Sequence, residues 1–172
     1  VEQVSGDVEI KDVSSEYCQI ALQGPNAVQI LKQLTDEENM PTVYYSFTQN
    51  KPVAGVNCII SKTGYTGEDG FELYAPAKDA EQLWNSVLEA GKVYELSPCG
   101  LGCRDTLRLE AGMPLYGHEL SAEITPKEAN LSMFSKLDKA DFIGKEKLAL
   151  KRKRKRIGLI VTDRGIARDG AI

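Results

Sequence analysis

The residues best suited to bind a polar ligand lie in one glycine-rich stretch at positions 63–72. This stretch contains three glycines, an aromatic ring at Tyr65 and three carboxylates, the last of them Glu72. Glycine leaves the backbone unobstructed, so such a segment can approach a ligand closely. The stretch matches neither the dinucleotide nor the nucleoside-triphosphate glycine pattern, so it offers carboxylate acceptors and no phosphate cradle.

Arg104 supplies the opposite charge further along the chain. Alternation over residues 71–75 predicts a strand on which Glu72 faces away from its apolar neighbours. A carboxylate suits a planar group with adjacent N–H donors, and a guanidinium suits an anionic tail. A ligand with both groups fits between Glu72 and Arg104, with Tyr45 and Tyr65 as flat walls. A solvated glutamate and ordinary loop tyrosines explain the same pattern.

Nucleophilic and metal-binding sets are missing from the sequence. His118 is the single histidine, so no Ser/His/Asp or Cys/His set is available, and we interpret His118 as structural. The four cysteines, Cys18, Cys58, Cys99 and Cys103, form no CxxC pair. We expect them to be small apolar residues in a reducing, intracellular compartment, and we predict no metal site.

The composition indicates a globular protein. The 172 residues are 42% hydrophobic and 27% charged, enough for one sizeable core. No apolar run approaches the roughly 18 residues of a membrane span, so we expect a soluble protein. The sequence starts without Met, and we expect it to be a piece of a longer polypeptide.

One basic run interrupts an otherwise acidic sequence. The formal net charge of −4 argues against a general nucleic-acid binder. The six consecutive cations at residues 151–156 fit either a nucleic-acid patch or a solvated helix end. We favour the helix end, because no aromatic residues are interleaved to stack on bases.

Hydrophobic periodicity predicts the elements that position these residues. Alternation predicts strands at 17–22, 43–47, 56–60, 71–75 and 157–161, with a turn-rich segment at 49–55. Helical spacing predicts helices at 27–34, 79–91 and 98–111, and shorter ones at 125–137 and 142–150. Strands joined by hairpins and interleaved with helices indicate an α+β fold, a ferredoxin-like antiparallel sheet with helices on one face.

Six stretches, taken in order, resemble the T-protein family of the glycine cleavage system, the tetrahydrofolate-dependent aminomethyltransferases. They are IALQGP (20–25), GYTGEDGFE (64–72), GLGCRDTLRLEAGMPLYG (100–117), TPKEA (125–129), FIGKE (142–146) and DRG (163–165). The resemblance covers essentially the whole sequence. The sequence departs from the family at Cys103, where a small residue such as Ala is usual, and at Met133, where Trp is common.

The resemblance implies a three-domain enzyme. Residues 1–140 correspond to its ferredoxin-like, folate-binding portion, and residues 141–172 to a linker helix and the start of a truncated C-terminal β-barrel. By motif position Glu72 and Arg104 match folate-binding residues, and Tyr65 and Tyr45 match pocket tyrosines. The family's reacting aspartate and a distal barrel arginine have no counterpart here. The resemblance therefore implies that no catalytic residue lies in this chain and that the chain alone is inactive.

The implied reaction transfers a one-carbon unit from an aminomethyl group on the lipoyl arm of H-protein to tetrahydrofolate and releases ammonia, in glycine catabolism. Tetrahydrofolate is the implied co-substrate and lipoylated H-protein the implied partner. We expect neither nucleic acid nor membrane as a partner. We expect a bacterial-type cytoplasmic location, with the mitochondrial matrix as the alternative.

Three other functions compete with this one. The folate-binding domain of sarcosine or dimethylglycine dehydrogenases shares the implied fold and ligand, but the match at residues 104–117 favours the T-protein. A T-like protein of tRNA modification carries a Lys-Gly-Cys-Tyr motif that this sequence lacks. A noncatalytic module that binds nucleic acid through residues 151–156 would show strongly salt-dependent affinity for DNA.

Overall fold

The computed structural model describes residues 6–149 and 153–166. The chain folds into two compact units, Val1–Ala111 and Gly112–Ile172. The domain division at residue 140 stays a prediction.

A four-stranded antiparallel sheet forms the centre of the first unit. Its strands are β1 (Tyr17–Gln23), β2 (Phe47–Val53), β3 (Val56–Ser61) and β4 (Gly70–Pro76). The spatial order is β1-β4-β3-β2, and every neighbouring pair is antiparallel. Glu72 on β4 lies opposite Ala21 of β1 and Ser61 of β3. Glu72 is therefore in an interior strand, where hydrogen-bonded ladders on both sides fix its backbone.

The α-helices of the described residues are α1 (Ala27–Leu31), α2 (Ala80–Gly91), α3 (Leu101–Glu110) and α4 (Lys145–Ala149). The first two pack their buried residues with the inward face of the sheet. Fully buried side chains in this core include Leu22, Ile60, Phe71, Leu73 and Leu83. The predicted α+β class and the alternating faces of β1, β3 and β4 are confirmed. None of these helices combines the length and apolarity that a bilayer span requires.

A 3-10 turn, Lys92–Tyr94, follows α2 and ends at a left-handed residue. Gly91 has an ordinary helical φ of −81°, and the left-handed residue is Glu95, with φ of 58°. The Glu95 N–H donates to the Lys92 carbonyl at 3.1 Å, and the Leu96 N–H donates to the Gly91 carbonyl at 3.0 Å. This is the Schellman pattern. Gly91 is required for space, because a Cβ there would lie 2.3 Å from the Leu96 side chain.

The predicted strand at 43–47 is wrong, and so is the turn-rich reading of 49–55. The Ser46 hydroxyl donates to the Val43 carbonyl at 2.6 Å, which closes a turn that places Tyr45 at φ of 64°. Strand β2 begins only at Phe47. It continues through an irregularity at Asn50, φ 55°, before turning at Ala54 and Gly55. A bulge keeps such a strand in register, which alternation alone cannot reveal.

Glu128 organises the second unit. Its carboxylate accepts hydrogen bonds from the Thr125 N–H at 3.1 Å and the Lys153 N–H at 3.0 Å, and the residue is 5% exposed. These backbone hydrogen bonds lower the pKa of the Glu128 carboxyl from its ordinary 4.5 to about 2. The Arg156 N–H donates to the Glu128 carbonyl at 2.9 Å, and the Arg154 Nε lies 3.8 Å from the carboxylate.

Hydrogen bonds to Glu128 therefore hold the last four residues of the basic run, 153–156. Residues 151 and 152 lie outside the described residues, and residues 153–156 have no helical structure. The Asn130 amide adds a hydrogen bond to the Arg156 carbonyl at 2.8 Å. Residues 153–156 are therefore not part of a helix end, whereas Lys153, Arg154 and Lys155 are exposed, as expected of a solvated run.

The predicted helix at 125–137 is also wrong. Thr125 and Glu128 do form a reciprocal capping box, with the Glu128 N–H 3.3 Å from the Thr125 hydroxyl. The chain nevertheless leaves the helical path after one turn, because Asn130 adopts a left-handed φ of 62°. A 3-10 turn, Ser132–Phe134, follows. The short helix predicted after Phe142 is confirmed as α4 over its described part.

The predicted strand at 157–161 is wrong for this chain. The segment has no ladder partner among the described residues, and Leu159 and Ile160 are 85% and 91% exposed. A strand needs a neighbour to satisfy its backbone groups. The start of a C-terminal β-barrel stays a prediction.

Candidate functional site

Glu72 projects from the open face of the sheet, opposite the apolar core. Its neighbours Phe71 and Leu73 are 1% and 0% exposed on the core side. The Gln19 amide of β1 donates to one Glu72 oxygen at 2.6 Å. The Thr63 hydroxyl donates to the other oxygen at 2.5 Å. Strand pairing therefore positions the Glu72 backbone, and two neighbouring side chains orient the carboxylate.

The charge of this carboxylate affects two tyrosines, Tyr74 and Tyr44. Tyr74, two residues along the same face of β4, has its pKa raised, first by burial and then by the negative charge of Glu72 and a hydrogen bond with it. Burial also raises the pKa of Tyr44, and the charges of Tyr45, Asp69 and Glu72 raise it further. The rings of Tyr44 and Tyr45 pack edge to face, with centroids 5.0 Å apart. Glu72 thus lies beside aromatic surfaces.

Gln23, the last residue of β1, holds the loop between β3 and β4. Its amide nitrogen donates to the Thr63 carbonyl at 3.2 Å and to the Phe71 carbonyl at 3.1 Å. The same side chain fills the space above two glycines, since a Cβ would lie 1.9 Å from it at Gly64 and 2.4 Å at Gly70. A side chain at either glycine would therefore displace the end of the Gln23 side chain from its position.

An ion pair with a buried lysine joins the two ends of the same loop. The Lys62 ammonium pairs with the Asp69 carboxylate at 2.9 Å, and the Lys62 side chain is 9% exposed. It also lies 4.5 Å from the centre of the Phe71 ring, within range of a cation–π interaction. An ammonium in such surroundings requires a partner, because burying an unpaired charge is costly. Lys62 and Asp69 therefore fix the ends of the segment that carries Thr63 and Tyr65.

Arg104 lies over the ring of Tyr65. The guanidinium carbon is 4.7 Å from the ring centroid, a stacked cation–π arrangement. Arg104 projects from α3, which also contains an ion pair between Arg108 and Asp105. The Arg108 side chain is 4% exposed, and its nitrogens lie 2.8 Å from Asp105. Arg104 itself is exposed, so its donors face outward beside an aromatic wall.

A cavity of about 360 Å³ opens next to Arg104. Its lining is mainly apolar and comes from β1, α2, α3 and the segment before α3; the side chains of Trp84, Leu88 and Leu107 contribute to it. Thr66 and Arg104 add polar groups. The volume and the mixture of an apolar wall with a few polar groups are typical of small-molecule sites.

The structure brings the predicted residues together in two groups. Arg104 and Tyr65 are in contact, and Tyr45 packs against Tyr44, whose pKa the charge of Glu72 raises. Glu72 is not among the residues that line the Arg104 cavity. The two groups are joined through the backbone of one loop, since Thr63 contacts Glu72 and Tyr65 contacts Arg104.

Several contributors were not found from the sequence. Gln19 and Gln23 depend on strand pairing across distant parts of the chain, and no local pattern marks them. Tyr74 could have been found from the sequence, because strand alternation places it two residues from Glu72 on the same face.

The cysteines also differ from the expectation. Cys58 is buried and Cys18 half-buried, as expected of small apolar residues, but Cys99 and Cys103 are exposed. The expectation is wrong for these two, because they flank the start of α3, where most side chains are exposed. Within the described residues, no three His, Cys, Asp or Glu side chains converge in a possible metal site.

A family model and several known proteins match most of this chain. The family model described as the GCVT N-terminal domain matches residues 1–139. An aminomethyltransferase of Thermoanaerobacter sp. (strain X514) is 51% identical over 168 residues, which are 95% of this chain and 46% of the relative. One of Listeria monocytogenes serotype 4a (strain HCC23) is 50% identical over 173 residues, 98% of this chain and 47% of the relative. The chain therefore spans about half the length of the curated relatives it matches.

A solved structure has the same fold. The crystal structure of glycine cleavage system aminomethyltransferase T from Bartonella henselae superposes with a TM-score of 0.64 at 31% sequence identity. The match covers 77% of this chain and 35% of that one. Since the family model, the relatives and the solved structure agree, this chain belongs to the GCVT family, that of the glycine cleavage system aminomethyltransferases.

Proposed function

We propose that this chain is the folate-anchoring part of an aminomethyltransferase of the glycine cleavage system. The complete enzyme transfers the one-carbon unit of an aminomethyl group, carried on the lipoyl arm of H-protein, to tetrahydrofolate and releases ammonia. Its binding residues in this chain are Glu72, Arg104, Tyr65 and Tyr45. Its reacting aspartate is not in this chain, and we expect the chain alone not to catalyse the transfer.

The observation that carries this proposal is the rigid presentation of the Glu72 carboxylate. The edge of a pterin ring offers adjacent N–H donors, which a carboxylate can accept in pairs. A carboxylate has about four acceptor positions. The Gln19 amide and the Thr63 hydroxyl already donate to Glu72, so about two acceptor positions remain for an incoming pair of N–H groups.

Arg104 supports the other half of the ligand. The glutamate tail of a folate is anionic, and the planar guanidinium of Arg104 can bind a carboxylate through two parallel hydrogen bonds. The contact with Tyr65 at 4.7 Å restrains the guanidinium and leaves its edge available. Tyr44 and Tyr45 offer apolar surface near Glu72. In this proposal the described residues bind and orient a reactant and leave proton transfer to other groups.

The finer description of the fold belongs to the same proposal. The four-stranded sheet represents part of a ferredoxin-like layer, residues 1–140 form the folate-binding portion, and residues 141–172 lead into a C-terminal β-barrel. Lipoylated H-protein is the proposed macromolecular partner, and the cytoplasm the proposed location. The exposed apolar residues Leu159 and Ile160 are consistent with a strand that pairs in a longer protein.

Calorimetric titration with 5-formyltetrahydrofolate tests the anchors. We expect Glu72→Gln and Arg104→Ala each to weaken binding by at least tenfold, about 1.4 kcal/mol. Glu81→Gln is the matched control, since Glu81 is an exposed carboxylate on α2. Gln19→Ala removes one of the two donors that orient the Glu72 carboxylate, so we expect it to weaken binding, but by less than Glu72→Gln does. Equal affinity of the parent chain and both anchor variants would overturn the proposed site.

A further inference from the structure

Two exposed cysteines flank the start of α3 at the cavity beside Arg104. Cys99 precedes the helix, and Cys103 lies in its first turn. Both residues line the cavity, and both are exposed free thiols. We propose that Cys99 and Cys103 are a reversible redox pair, which closes to an intramolecular disulfide on reaction with a low-molecular-weight disulfide.

The geometry of the segment allows this closure. Cys99 lies one residue before the N-cap Gly100, and Cys103 is the third residue of α3, so three residues of chain separate the two cysteines. Both residues line one cavity, and a hydrogen bond with the Cys103 thiol is the first cause of the raised pKa of the Cys99 thiol. Gly100 and Gly102 lie between them, and a Cβ at either glycine would meet nothing within 4 Å. The space beside both glycines is therefore open.

The other cysteines cannot form such a bridge. Cys18 on β1 lies opposite Ala75 of β4, and Cys58 lies on β3 at the far side of β4. Two strand spacings separate them, about 9 to 10 Å, which exceeds the reach of a disulfide. The Cys58 residue is also only 2% exposed. Cys18 and Cys58 therefore serve as controls that cannot form a bridge with each other.

The proposed reaction is thiol–disulfide exchange in two steps. One cysteine, as its thiolate, attacks a sulfur of glutathione disulfide; a protein–glutathione S–S bond forms, and one glutathione thiolate leaves. The second cysteine thiolate then attacks the protein sulfur, the Cys99–Cys103 bond forms, and the second glutathione leaves. The protein loses two electrons, glutathione disulfide gains them, and the two protons released by the cysteines go to the two glutathione thiols.

A tryptophan whose fluorescence can report the redox state lies next to the cysteine pair. Trp84 is the single tryptophan of the chain and lines the same cavity. Closure of the disulfide rearranges the wall that Cys99 and Cys103 share with Trp84 and Arg104. The emission of Trp84 should therefore follow the redox state of the pair.

Equilibration of the protein in glutathione buffers of increasing oxidised fraction tests this proposal. We expect a mass loss of two hydrogens, a peptide map that links Cys99 to Cys103, and a Trp84 emission change with the same midpoint. Cys103→Ala should stop at a mixed disulfide of Cys99 and lose the coupled emission change. Both cysteines are exposed, so the variant should fold, which its far-UV circular dichroism checks.

Two results would overturn the proposal. One is that the parent protein keeps both thiols free or accumulates stable mixed disulfides at Cys99 and Cys103 in the most oxidising buffer. The other is that the peptide map links either cysteine to Cys18, to Cys58 or to a second molecule. Reversal of the bridge and of the emission change by dithiothreitol would complete the support for a reversible pair.

Discussion

Each of the two units of this chain is stabilised by a different kind of interaction. In the first, Val1–Ala111, a hydrogen-bonded sheet presents alternating side chains to one apolar core. In the second, Gly112–Ile172, the described residues contain isolated bridges and short helical turns, and a buried carboxylate at Glu128 gathers backbone N–H groups from distant residues. Apolar burial is insensitive to pH, whereas hydrogen bonds to a carboxylate weaken when it is protonated.

The proposed binding residues belong to only one of the two units. Glu72, Tyr65 and Arg104 all lie in the first unit, on a strand, on a loop clamped by Gln23 and on a helix. A rigid scaffold can hold binding side chains in place more precisely than a set of loops can. The comparison therefore predicts that changes in the sheet core and in the loop clamp affect the site, and that changes around Glu128 do not.

The largest expected effect is on the core of the first unit. Leu73→Ala removes a fully buried side chain from β4, and we expect a loss of about 2 to 5 kcal/mol in the free energy of unfolding. Leu159→Ala, at a position that is 85% exposed in the second unit, should change it by less than about 0.5 kcal/mol. Urea denaturation measures both. Equal effects would show that the contrast between the units is mistaken.

A smaller effect is expected at the loop clamp. Gln23→Leu keeps the apolar bulk but leaves the Thr63 and Phe71 carbonyls without their amide donor, at a cost of about 1 to 3 kcal/mol. Thermal unfolding measures the loss, and amide exchange should quicken mainly at residues 63–70. Gln82→Leu is a matched control, since Gln82 is exposed and donates one hydrogen bond, to the Ala54 carbonyl. If both variants lose the same stability, Gln23 has no special role.

The third effect is local and depends on pH. The folded pKa of Glu128 is about 2, below its ordinary 4.5, so its stabilising contribution is present above pH 4.5 and is lost as the pH falls toward 2. We expect the protection factor of the Lys153 amide to decrease over this range while those of β4 stay constant.

Glu128→Gln should abolish that dependence. The amide side chain is neutral at every pH, so the Lys153 amide should be weakly protected throughout. A decrease in protection that is equally steep in the variant would assign the titration to another group.

Periodicity predicted the first unit far better than the second. The alternation in β1, β3 and β4 and the apolar stripe of α2 repeat often enough to identify each element before any contact is known. The segments at 43–47 and 157–161 show the same alternation, but one is closed into a turn by Ser46 and the other has no partner. Alternation shows which side chains share a face; a ladder also requires a neighbouring strand.

The site was predictable to a similar extent. Motif position and side-chain chemistry singled out Glu72, Arg104, Tyr65 and Tyr45, and the contact of Arg104 with Tyr65 agrees with placing those two together. The donors that orient Glu72 come from residues as far away in sequence as Gln19. Their roles depend on the register between β1 and β4, which local sequence does not determine.

Hydrogen exchange with and without 5-formyltetrahydrofolate tests most directly whether the binding site belongs to the first unit. We predict that a saturating ligand protects the amides of residues 63–72 and of the first turn of α3. The amides of Lys153 and Arg156, which are hydrogen-bonded to Glu128, should exchange at the same rate in both samples. Protection confined to the second unit, or no protection at residues 63–72, would contradict this account.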